Sequence, residues 1–233
     1  MSEAVILEFD RVTLGPTWPY DTALEQVSFG LRPGELTLLT LQIGHVRSPF
    51  ADLTQGLIHP GSGGGEIRCN GHSWRGMSAV EMGRQRSRIG RVFDVGGWIS
   101  NLDVDENVLL AQRHHNTAPA AALIERAHRL AESFGLPRVP NCRPAEASQH
   151  ELRVSQWIRA LLVDMNLLVL ERPTRDVKPE CVQPFMDEIT RARARGTAVL
   201  WITTDGAAAN SPHNPAPPDA TARYAMQEAA MIK

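Results

Sequence analysis

A polar segment between an apolar strand and a possible helix contains residues that could bind phosphate. It reads TLQIGHVRSPF over residues 40–50 and includes Gly44, Arg47 and Ser48. A phosphate-binding loop has the pattern G-x-x-x-x-G-K-[ST], in which backbone N–H groups surround the phosphates and a lysine supplies a compact positive charge. Here an arginine precedes the serine, and both lysines of the chain lie far downstream. The segment alone leaves open whether it is a working loop, an altered one or a chance match.

The composition indicates a globular protein and argues against several other classes. The chain has 233 residues, of which 42% are hydrophobic and 21% charged, an ordinary balance for one large domain or two small ones. The formal net charge is -2, so we expect no nucleic-acid partner. No apolar run reaches the roughly 20 residues that span a bilayer, and the N-terminus lacks the features of a signal peptide. The 3 cysteines are isolated and fit neither a disulfide framework nor a metal motif, so we expect a cytoplasmic location.

The elements that must position the phosphate-loop residues follow from hydrophobic periodicity. Early in the chain, AVILEF over residues 4–9, LEQVSFGL and LTLLT read as strands, which favours an antiparallel layer. Later, the apolar strands LLVLE and AVLWITT alternate with segments of helical spacing at residues 118–135, 151–163 and 179–194. That alternation predicts a parallel sheet with helices on its faces.

Taken in order and with their spacing, these segments resemble the ATPase subunit of an ABC transporter. ALEQVSFGLRPGEL is similar to the family's first sheet and its lead into the P-loop, and IGRVFD to the Q-loop region. RVSQWIRALLVDMNLLVLERPT is similar to the helix after the signature motif and the Walker B strand, and VLWITTD to the strand that ends at the switch histidine. The resemblance covers nearly the whole chain. It implies an α/β fold with a P-loop NTPase-type parallel sheet and helices, an antiparallel β layer and a helical subdomain at about 100–160.

The resemblance also divides the chain into parts. Residues 1–205 correspond to an ABC ATPase-like domain. The stretch GAAANSPHNPAPP indicates a Pro/Ala-rich linker over 206–220. The remaining residues, 221–233, resemble the family's terminal strand pair, with Ala229 where a turn glycine would be expected.

The residues that match the family's P-loop differ from it in ways that oppose phosphate binding. The family pattern is G-x-x-G-x-G-K-[ST]-T, and the matching stretch is LQIGHVRSP, in which Gly44 and Ser48 agree. Leu41 and Val46 replace glycines, and a β-branched residue tolerates a left-handed backbone poorly. Arg47 keeps the positive charge on a wide planar fork. We therefore expect that this loop does not hold ATP in the usual way.

The residues that match the catalytic motifs differ from the family as well. Glu171 stands for the magnesium-binding aspartate and is an acidic residue that can still meet a metal. Arg172 replaces the glutamate that activates water and cannot act as a general base, because it stays protonated. Lys178 reverses the charge of the D-loop aspartate, and Thr204 matches the switch histidine without supplying an imidazole.

Three further positions complete the comparison with the family. Asp94 matches the Q-loop glutamine and accepts hydrogen bonds, but it cannot donate as an amide does. The signature motif L-S-G-G-Q is matched by ASQHE, which we interpret as the start of a helix with a capping box between Ser148 and Glu151. Tyr20 and Trp18 lie where the family places an aromatic residue that stacks on adenine; a half-buried aromatic in a proline-rich turn is an equally good interpretation.

These matches predict a degenerate ABC transporter ATP-binding subunit with a structural or regulatory role in a membrane transport complex, unable to hydrolyse ATP. We expect no catalytic residue, no metal site and no cofactor. The resemblance implies a membrane permease as partner, an ATPase-type dimer (homo- or heterodimer) and a place on the inner face of the cell membrane. A vestigial nucleotide site would comprise Gly44, Arg47, Ser48, Tyr20 and Asp94.

Two alternatives to this prediction stay open from the sequence. The chain is a divergent but active subunit if ATP and magnesium bind through Gly44, Arg47, Ser48 and Glu171. It is a binding module unrelated to transport if no permease associates with it. Trp98, just past the Q-loop match, is either a contact for the permease or a core residue.

Overall fold

The computed structural model describes residues 5–17, 19–20, 22–41, 48–204, 219–227 and 230–232. Gly44 and Arg47 of the predicted phosphate loop therefore lie outside the described residues, as do Trp18, Ala229 and most of the predicted linker.

In chain order the elements are β1 (Leu7–Leu14), β2 (Leu24–Leu31), β3 (Leu36–Leu41), α1 (Phe50–Thr54), β4 (Glu66–Cys69), β5 (His72–Ser73), α2 (Ala79–Arg86), β6 (Ile89–Val92), α3 (Val104–His114), α4 (Ala120–Ser133), α5 (Gln149–Leu161), β7 (Leu167–Glu171), α6 (Pro179–Ala194), β8 (Ala198–Thr204), β9 (Ala222–Gln227) and β10 (Ala230–Ile232).

The first sheet is antiparallel and has the strand order β2-β1-β4-β5. Residues at alternate positions of β1 and β2 are buried, as a sheet with one covered face requires. Two of these residues, Phe9 and Phe29, stack with their ring centroids 4.6 Å apart, and Phe50 of α1 packs beside both. These rings join the antiparallel layer to the start of α1.

The second sheet has the strand order β10-β9-β3-β8-β7-β6. All neighbouring pairs are parallel except β10 with β9. The central strands β7 and β8 are buried along nearly their whole length, because elements cover both faces of a parallel sheet. The predicted fold class, a parallel sheet with helices beside an antiparallel layer, is therefore confirmed.

Three helices, α3, α4 and α5, contact one another beside the parallel sheet. The helix α5 passes through the core and buries Trp157, whose ring stacks on Phe185 of α6 with a centroid distance of 4.2 Å. Phe134 meets the same tryptophan edge-on at 5.5 Å. This aromatic cluster fixes the position of α5, from which several side chains reach the candidate site.

Two elements differ from the sequence-based expectation. The first strand begins at Leu7 rather than at residue 4 and runs on to Leu14. The helix after the predicted phosphate loop is short, with Pro49 at its N-cap and its end at Thr54. It ends there because Gly56 turns the chain with a φ of +61°, and a Cβ at that position would lie 2.4 Å from the ring of Trp74.

Candidate functional site

The candidate site lies at the edge of the parallel sheet where the strands end. The last residues of β3 and β8, Leu41 and Thr204, are paired, and Glu171 at the end of β7 pairs with Ile202. Since β6 is parallel to β7, it ends at the same edge. In open α/β sheets, ligands bind at the carboxyl ends of the strands.

A cleft of about 380 Å³ opens at this edge. It brings together four residues that the sequence singled out, namely Tyr20, Ser48, Asp94 and Glu171. The other lining residues are Pro19, Asp52, Arg91, Phe93 and Val95.

A buried arginine at the end of β6 occupies the centre of the acidic side of the cleft. Arg91 Nε donates to Glu171 Oε1 at 2.6 Å, and its Nη1 donates to Asp52 Oδ1 at 2.5 Å and to Gln55 Oε1 at 2.9 Å. The arginine side chain is 8% exposed, against 25% for Asp52 and 16% for Glu171. Arg91 thus ties α1 to β7 through a largely buried ion pair on each side.

The surroundings of Arg91 favour its charged form. Its guanidinium lies 4.3 Å from the ring centroid of Phe93, which adds a cation–π contact. Burial alone would lower the pKa of Arg91, but the neighbouring carboxylates of Glu171 and Asp52 outweigh burial and raise it. The cleft therefore contains a permanent cation that belongs to the protein.

Burial raises the pKa of two groups near Arg91, namely Glu171 and Tyr20. Burial raises the pKa of Glu171, and the charge of Arg91 counteracts this only in part. The Tyr20 hydroxyl donates to Asp52 Oδ2 at 2.7 Å. Burial, together with this hydrogen bond and the charge of Asp52, raises the pKa of Tyr20 well above its usual range. Tyr20 is therefore a hydrogen-bond donor to the ion-pair network.

A second ion-pair group joins the segment after β6 to the segment after β7. Arg172 Nε donates to Asp94 Oδ1 at 2.8 Å, and Arg172 Nη2 pairs with the other carboxylate oxygen. Arg175 Nη1 lies 2.9 Å from Asp94 Oδ1, and Arg175 Nη2 donates to the Asp94 backbone oxygen at 2.9 Å. A two-pronged arginine–carboxylate contact of this kind is geometrically specific as well as strong.

The backbone at Arg172 has an uncommon conformation. Its φ is +42°, in the left-handed region that side chains other than glycine rarely adopt. Its N–H still donates to the Ile202 oxygen of β8 at 2.8 Å. Such strain persists where surrounding contacts over-determine the conformation, and the paired contact with Asp94 is one of those contacts.

The residues of this edge fit a magnesium–nucleotide complex poorly. Glu171, which the resemblance relates to the metal ligand, is already bound by a buried guanidinium. A magnesium ion at that carboxylate would stand beside the fixed charge of Arg91, and like charges in a buried site repel. Magnesium also needs oxygen ligands in near-ideal octahedral geometry, whereas both Asp94 oxygens here accept from Arg172. We therefore derive no step through a metal.

The remaining sequence-based candidates that the structure describes fall outside the cleft lining. Thr204 ends β8 and is half-buried. At the signature position, Ser148 Oγ accepts from the Glu151 N–H at 3.2 Å and Glu151 Oε2 accepts from the Ser148 N–H at 2.9 Å, so the predicted capping box is confirmed. Trp98 is half-buried and packs against the main core cluster. The functional roles assigned to Thr204 and to the residues of the cleft stay predictions.

The sequence analysis missed the residues at the centre of the network. Arg91, Asp52 and Arg175 were not singled out, although together they make most of its ion pairs. One signal was present, because the strand β6 reads IGRV and an arginine in a buried strand requires a counter-charge. The identity of that counter-charge was not readable, since its partners lie 39 and 80 residues away along the chain.

The fold and the position of the cleft place the structure in one class of folds. A parallel sheet with helices, an antiparallel β layer and a cleft at the carboxyl ends of the strands are the architecture of an ABC-type ATPase domain. None of the helices in the described part of the chain combines the length and apolar character needed to cross a membrane.

Comparisons with known proteins agree with this class. The chain is similar to the ABC transporter ATP-binding protein YxdL of Bacillus subtilis, with 23% identity over 190 residues, 81% of this chain and 73% of that protein. It is 29% identical over 182 residues to the methionine import ATP-binding protein MetN of Rhizobium etli, covering 78% of this chain but 50% of MetN. No family model matches.

Among solved structures, a dimeric post-hydrolysis state of the ATP-binding cassette MJ0796 bound to ADP and Pi superposes with a TM-score of 0.79. The match has 17% identity and covers 97% of each chain. The resemblance to ABC transporter ATP-binding subunits is therefore supported by sequence relatives and by the fold.

Proposed function

We propose that this chain is an ATP-binding-type subunit of an ABC transporter that does not hydrolyse ATP and acts structurally or as a regulator in a membrane transport complex. One observation carries the proposal. Both charged residues at the end of β7 are bound to charged partners inside the chain, Glu171 to Arg91 and Arg172 to Asp94. ATP and magnesium are accordingly not its cofactors.

The chemistry of hydrolysis supports this proposal. A water molecule attacking a phosphoryl group needs a residue that positions it or accepts its proton, and a guanidinium does neither because it stays protonated. Arg172 stands at the position that the resemblance gives to that residue. The γ-phosphate charge also needs a metal and donors arranged around it, and Glu171 is already engaged by Arg91.

An apolar groove beside the cleft supports the proposal of a permease partner. It has a volume of about 510 Å³, and its lining includes Ile99, Leu110 and Arg159. Ile99 is 45% exposed, Leu110 42%, and the nearby Val95 71%. Clustered exposed apolar side chains are typical of a contact surface. The permease would hold the chain on the cytoplasmic face of the membrane, and we further propose an ATPase-type dimer with a second copy or with a competent partner.

The names of relatives point in the same direction. MetN is a methionine import ATP-binding protein, and a protein of Rubrobacter xylanophilus that is 26% identical over 200 residues is a ribose import ATP-binding protein. Our chain spans 39% of the latter's length. Import of a small solute by the assembled complex is part of the proposal.

The deciding experiment is a titration of the purified chain with ATP in the presence and absence of magnesium, together with a measurement of phosphate release. We expect no saturable binding and no turnover above the rate without protein. The variant Arg47→Ala serves as the specificity control. Magnesium-dependent turnover that disappears in this variant would overturn the proposal in favour of the divergent active ATPase.

The partner is tested by co-expression with ABC-type membrane permeases of the same organism, beginning with any whose gene lies near the gene of this chain. We expect one permease to co-purify with the chain, and we expect Ile99→Asp to reduce recovery strongly, because it puts a charge into the groove. Val80→Asp on α2 is the matched control, since Val80 is also exposed but does not line the groove. Equal loss with both variants, or no association at all, contradicts the permease assignment.

A further inference from the structure

The segment Phe93–Gly97, which follows β6, is fastened by side chains from two different parts of the chain. From α5, Gln156 Oε1 accepts from the Phe93 N–H at 2.6 Å, and Gln156 Nε2 donates to the Gly96 oxygen at 3.3 Å. Arg159 Nη1, also on α5, donates to the Gly97 oxygen at 2.5 Å. The backbone of a short loop is thus bound at both of its ends by one helix.

Three arginines bind the middle of the segment, at Asp94. Arg153 of α5 donates to the Phe93 oxygen and, at 2.7 Å, to the Asp94 oxygen. Arg172 and Arg175, which follow β7, both pair with the Asp94 carboxylate. We call this set of Arg153, Gln156, Arg159, Arg172 and Arg175 the arginine clamp.

The sequence of the segment would not hold this conformation without such contacts. Gly96 and Gly97 have φ values of +73° and +79°, and glycines allow the chain many other conformations. Val95 and Gly96 are exposed, so no core packing fixes them. The order of the segment must therefore come from the clamp.

Holding the segment in this way takes positively charged side chains out of water, which costs free energy. Burial lowers the pKa of Arg153 and of Arg159 to about 10 in each case. Their hydrogen-bond partners in this segment are neutral backbone oxygens, which compensate buried charge less well than carboxylates do. A buried guanidinium, Arg153, and a half-buried one, Arg159, hold this five-residue segment, which indicates that the position of the segment matters.

We propose that the arginine clamp locks the segment Phe93–Gly97 to α5 and to the end of β7 in one arrangement that needs neither nucleotide nor metal. The inference rests on the proposed function, because both hold that ion pairs within the chain, and not a bound nucleotide, order this edge of the sheet. The groove lined by Ile99 is also lined by Phe93 and Gly97 of the segment. An ordered segment therefore also gives a defined shape to the surface proposed to contact the permease.

The test is hydrogen–deuterium exchange of the full chain, read by mass spectrometry at single-residue resolution for the Phe93 amide, with and without Mg-ATP. The Phe93 N–H donates to Gln156 Oε1, so we expect it to be protected without nucleotide and its exchange rate to change less than about two-fold when Mg-ATP is added. We expect Arg172→Ala to accelerate this exchange by about ten-fold or more, since it opens one side of the clamp.

The matched control is Arg11→Ala. Arg11 also has a left-handed backbone, with a φ of +48°, but it is exposed and pairs only with the exposed Asp10 among the described residues. Asp94→Asn is the second clamp variant, because it removes the charge on the opposite side with nearly the same shape. Peptides from β8 report whether any variant has lost its global fold.

Three outcomes overturn the lock. They are exchange of the wild-type Phe93 amide at the rate of an open loop, slowing of that exchange by Mg-ATP, and equal exchange of this amide in Arg172→Ala and Arg11→Ala. If Arg172→Ala also loses protection in β8, the wild-type comparison and Asp94→Asn still decide. Unprotected exchange in the segment, with no ATP binding by the chain, refutes the lock and leaves the proposed function standing. ATP binding that leaves this exchange unchanged contradicts the proposed function and leaves the lock standing.

Discussion

Replacing Arg91 with methionine removes the cation between Asp52 and Glu171 while it keeps most of the length and apolar volume of the side chain. The two carboxylates, which now approach the same guanidinium at 2.5 and 2.6 Å, would then face each other in a half-buried cleft. Removal of one partner of a buried ion pair leaves an uncompensated charge, which typically costs about 3–5 kcal/mol. Asp52 is 25% exposed and retains some hydration, so we expect the lower end, about 3 kcal/mol.

Urea unfolding of Arg91→Met and of the wild-type protein measures this cost. With an ordinary dependence of the unfolding free energy on urea, a loss of about 3 kcal/mol lowers the midpoint by about 1 M or more. The matched control is Arg129→Met, which removes an exposed pair with Glu125 on α4. That pair should contribute less than about 0.5 kcal/mol.

The pH dependence separates the loss of an ion pair from a simple packing defect. Burial raises the pKa of Glu171, and without Arg91 the main counteracting charge is gone, so the pKa in the variant rises further. A carboxyl group with a raised pKa binds its proton more tightly in the folded state. Its stabilising effect is therefore present at acidic pH and is lost as the pH rises from about 4.3, the usual glutamate value, through the raised pKa.

The difference in unfolding free energy between Arg91→Met and the wild type should accordingly be larger at neutral pH than near pH 5. The added change Glu171→Gln should recover part of the loss, because it removes one of the two facing charges. Magnesium should raise the urea midpoint of Arg91→Met and leave that of the wild type unchanged, since a cation can enter between the two acids. A midpoint of Arg91→Met equal to that of Arg129→Met at every pH would refute the reasoning.

Two further predictions concern the backbone around the clamp and the start of α5. Gly97→Ala should destabilise the protein more than Gly96→Ala in thermal unfolding, because an added Cβ lies 2.6 Å from the Phe93 ring at Gly97 and meets nothing within 4 Å at Gly96. Both variants carry the left-handed backbone cost of about 1 kcal/mol. Equal melting temperatures would contradict this prediction. Ser148→Ala should lower the unfolding free energy by about 1 kcal/mol. Ser78→Ala, in the capping box of α2, should lower it less, since α2 buries no residue and can fray locally. A larger effect at Ser78 would show that α2 belongs to the cooperative core.

Much of the architecture was readable from the sequence because it depends on hydrophobic pattern. The apolar runs of β7 and β8 identified buried strands, and Pro179 and Ala194 marked the ends of α6. The capping box at Ser148 was readable for a similar reason, since its contacts span three residues. The start of β1 was wrong by three positions, because the apolar residues before Leu7 continue the same pattern.

The candidate site was readable only in part, since it depends on contacts across the sheet. The resemblance related Asp94 to the Q-loop and Glu171 to the Walker B strand. It did not indicate that Arg91 stands between Glu171 and α1, because the register of β6 against β7 determines which side chains meet. Ion pairs between residues 80 positions apart leave no local pattern.

Asp94 and Arg172 illustrate why substitutions at such an edge are better considered in pairs. Taken singly, an aspartate in place of a glutamine and an arginine in place of a glutamate are two losses. In the structure they are one bidentate ion pair, 78 residues apart in the sequence and largely buried. Asp94→Gln alone would leave Arg172 with a weaker partner, and Arg172→Glu alone would give Asp94 a like-charged neighbour; either change costs several kcal/mol.

The same argument extends to the neighbouring pair. Restoring a metal ligand at Glu171 requires removal of Arg91, and that removal first exposes Asp52 and Glu171 to each other. Building a magnesium–nucleotide site at this edge would therefore require several simultaneous changes, each destabilising by itself. Under the proposed function, the ion pairs that would oppose ATP binding are the same contacts that stabilise the end of β7, and this dual role would couple the fold of the chain to the proposed absence of hydrolysis.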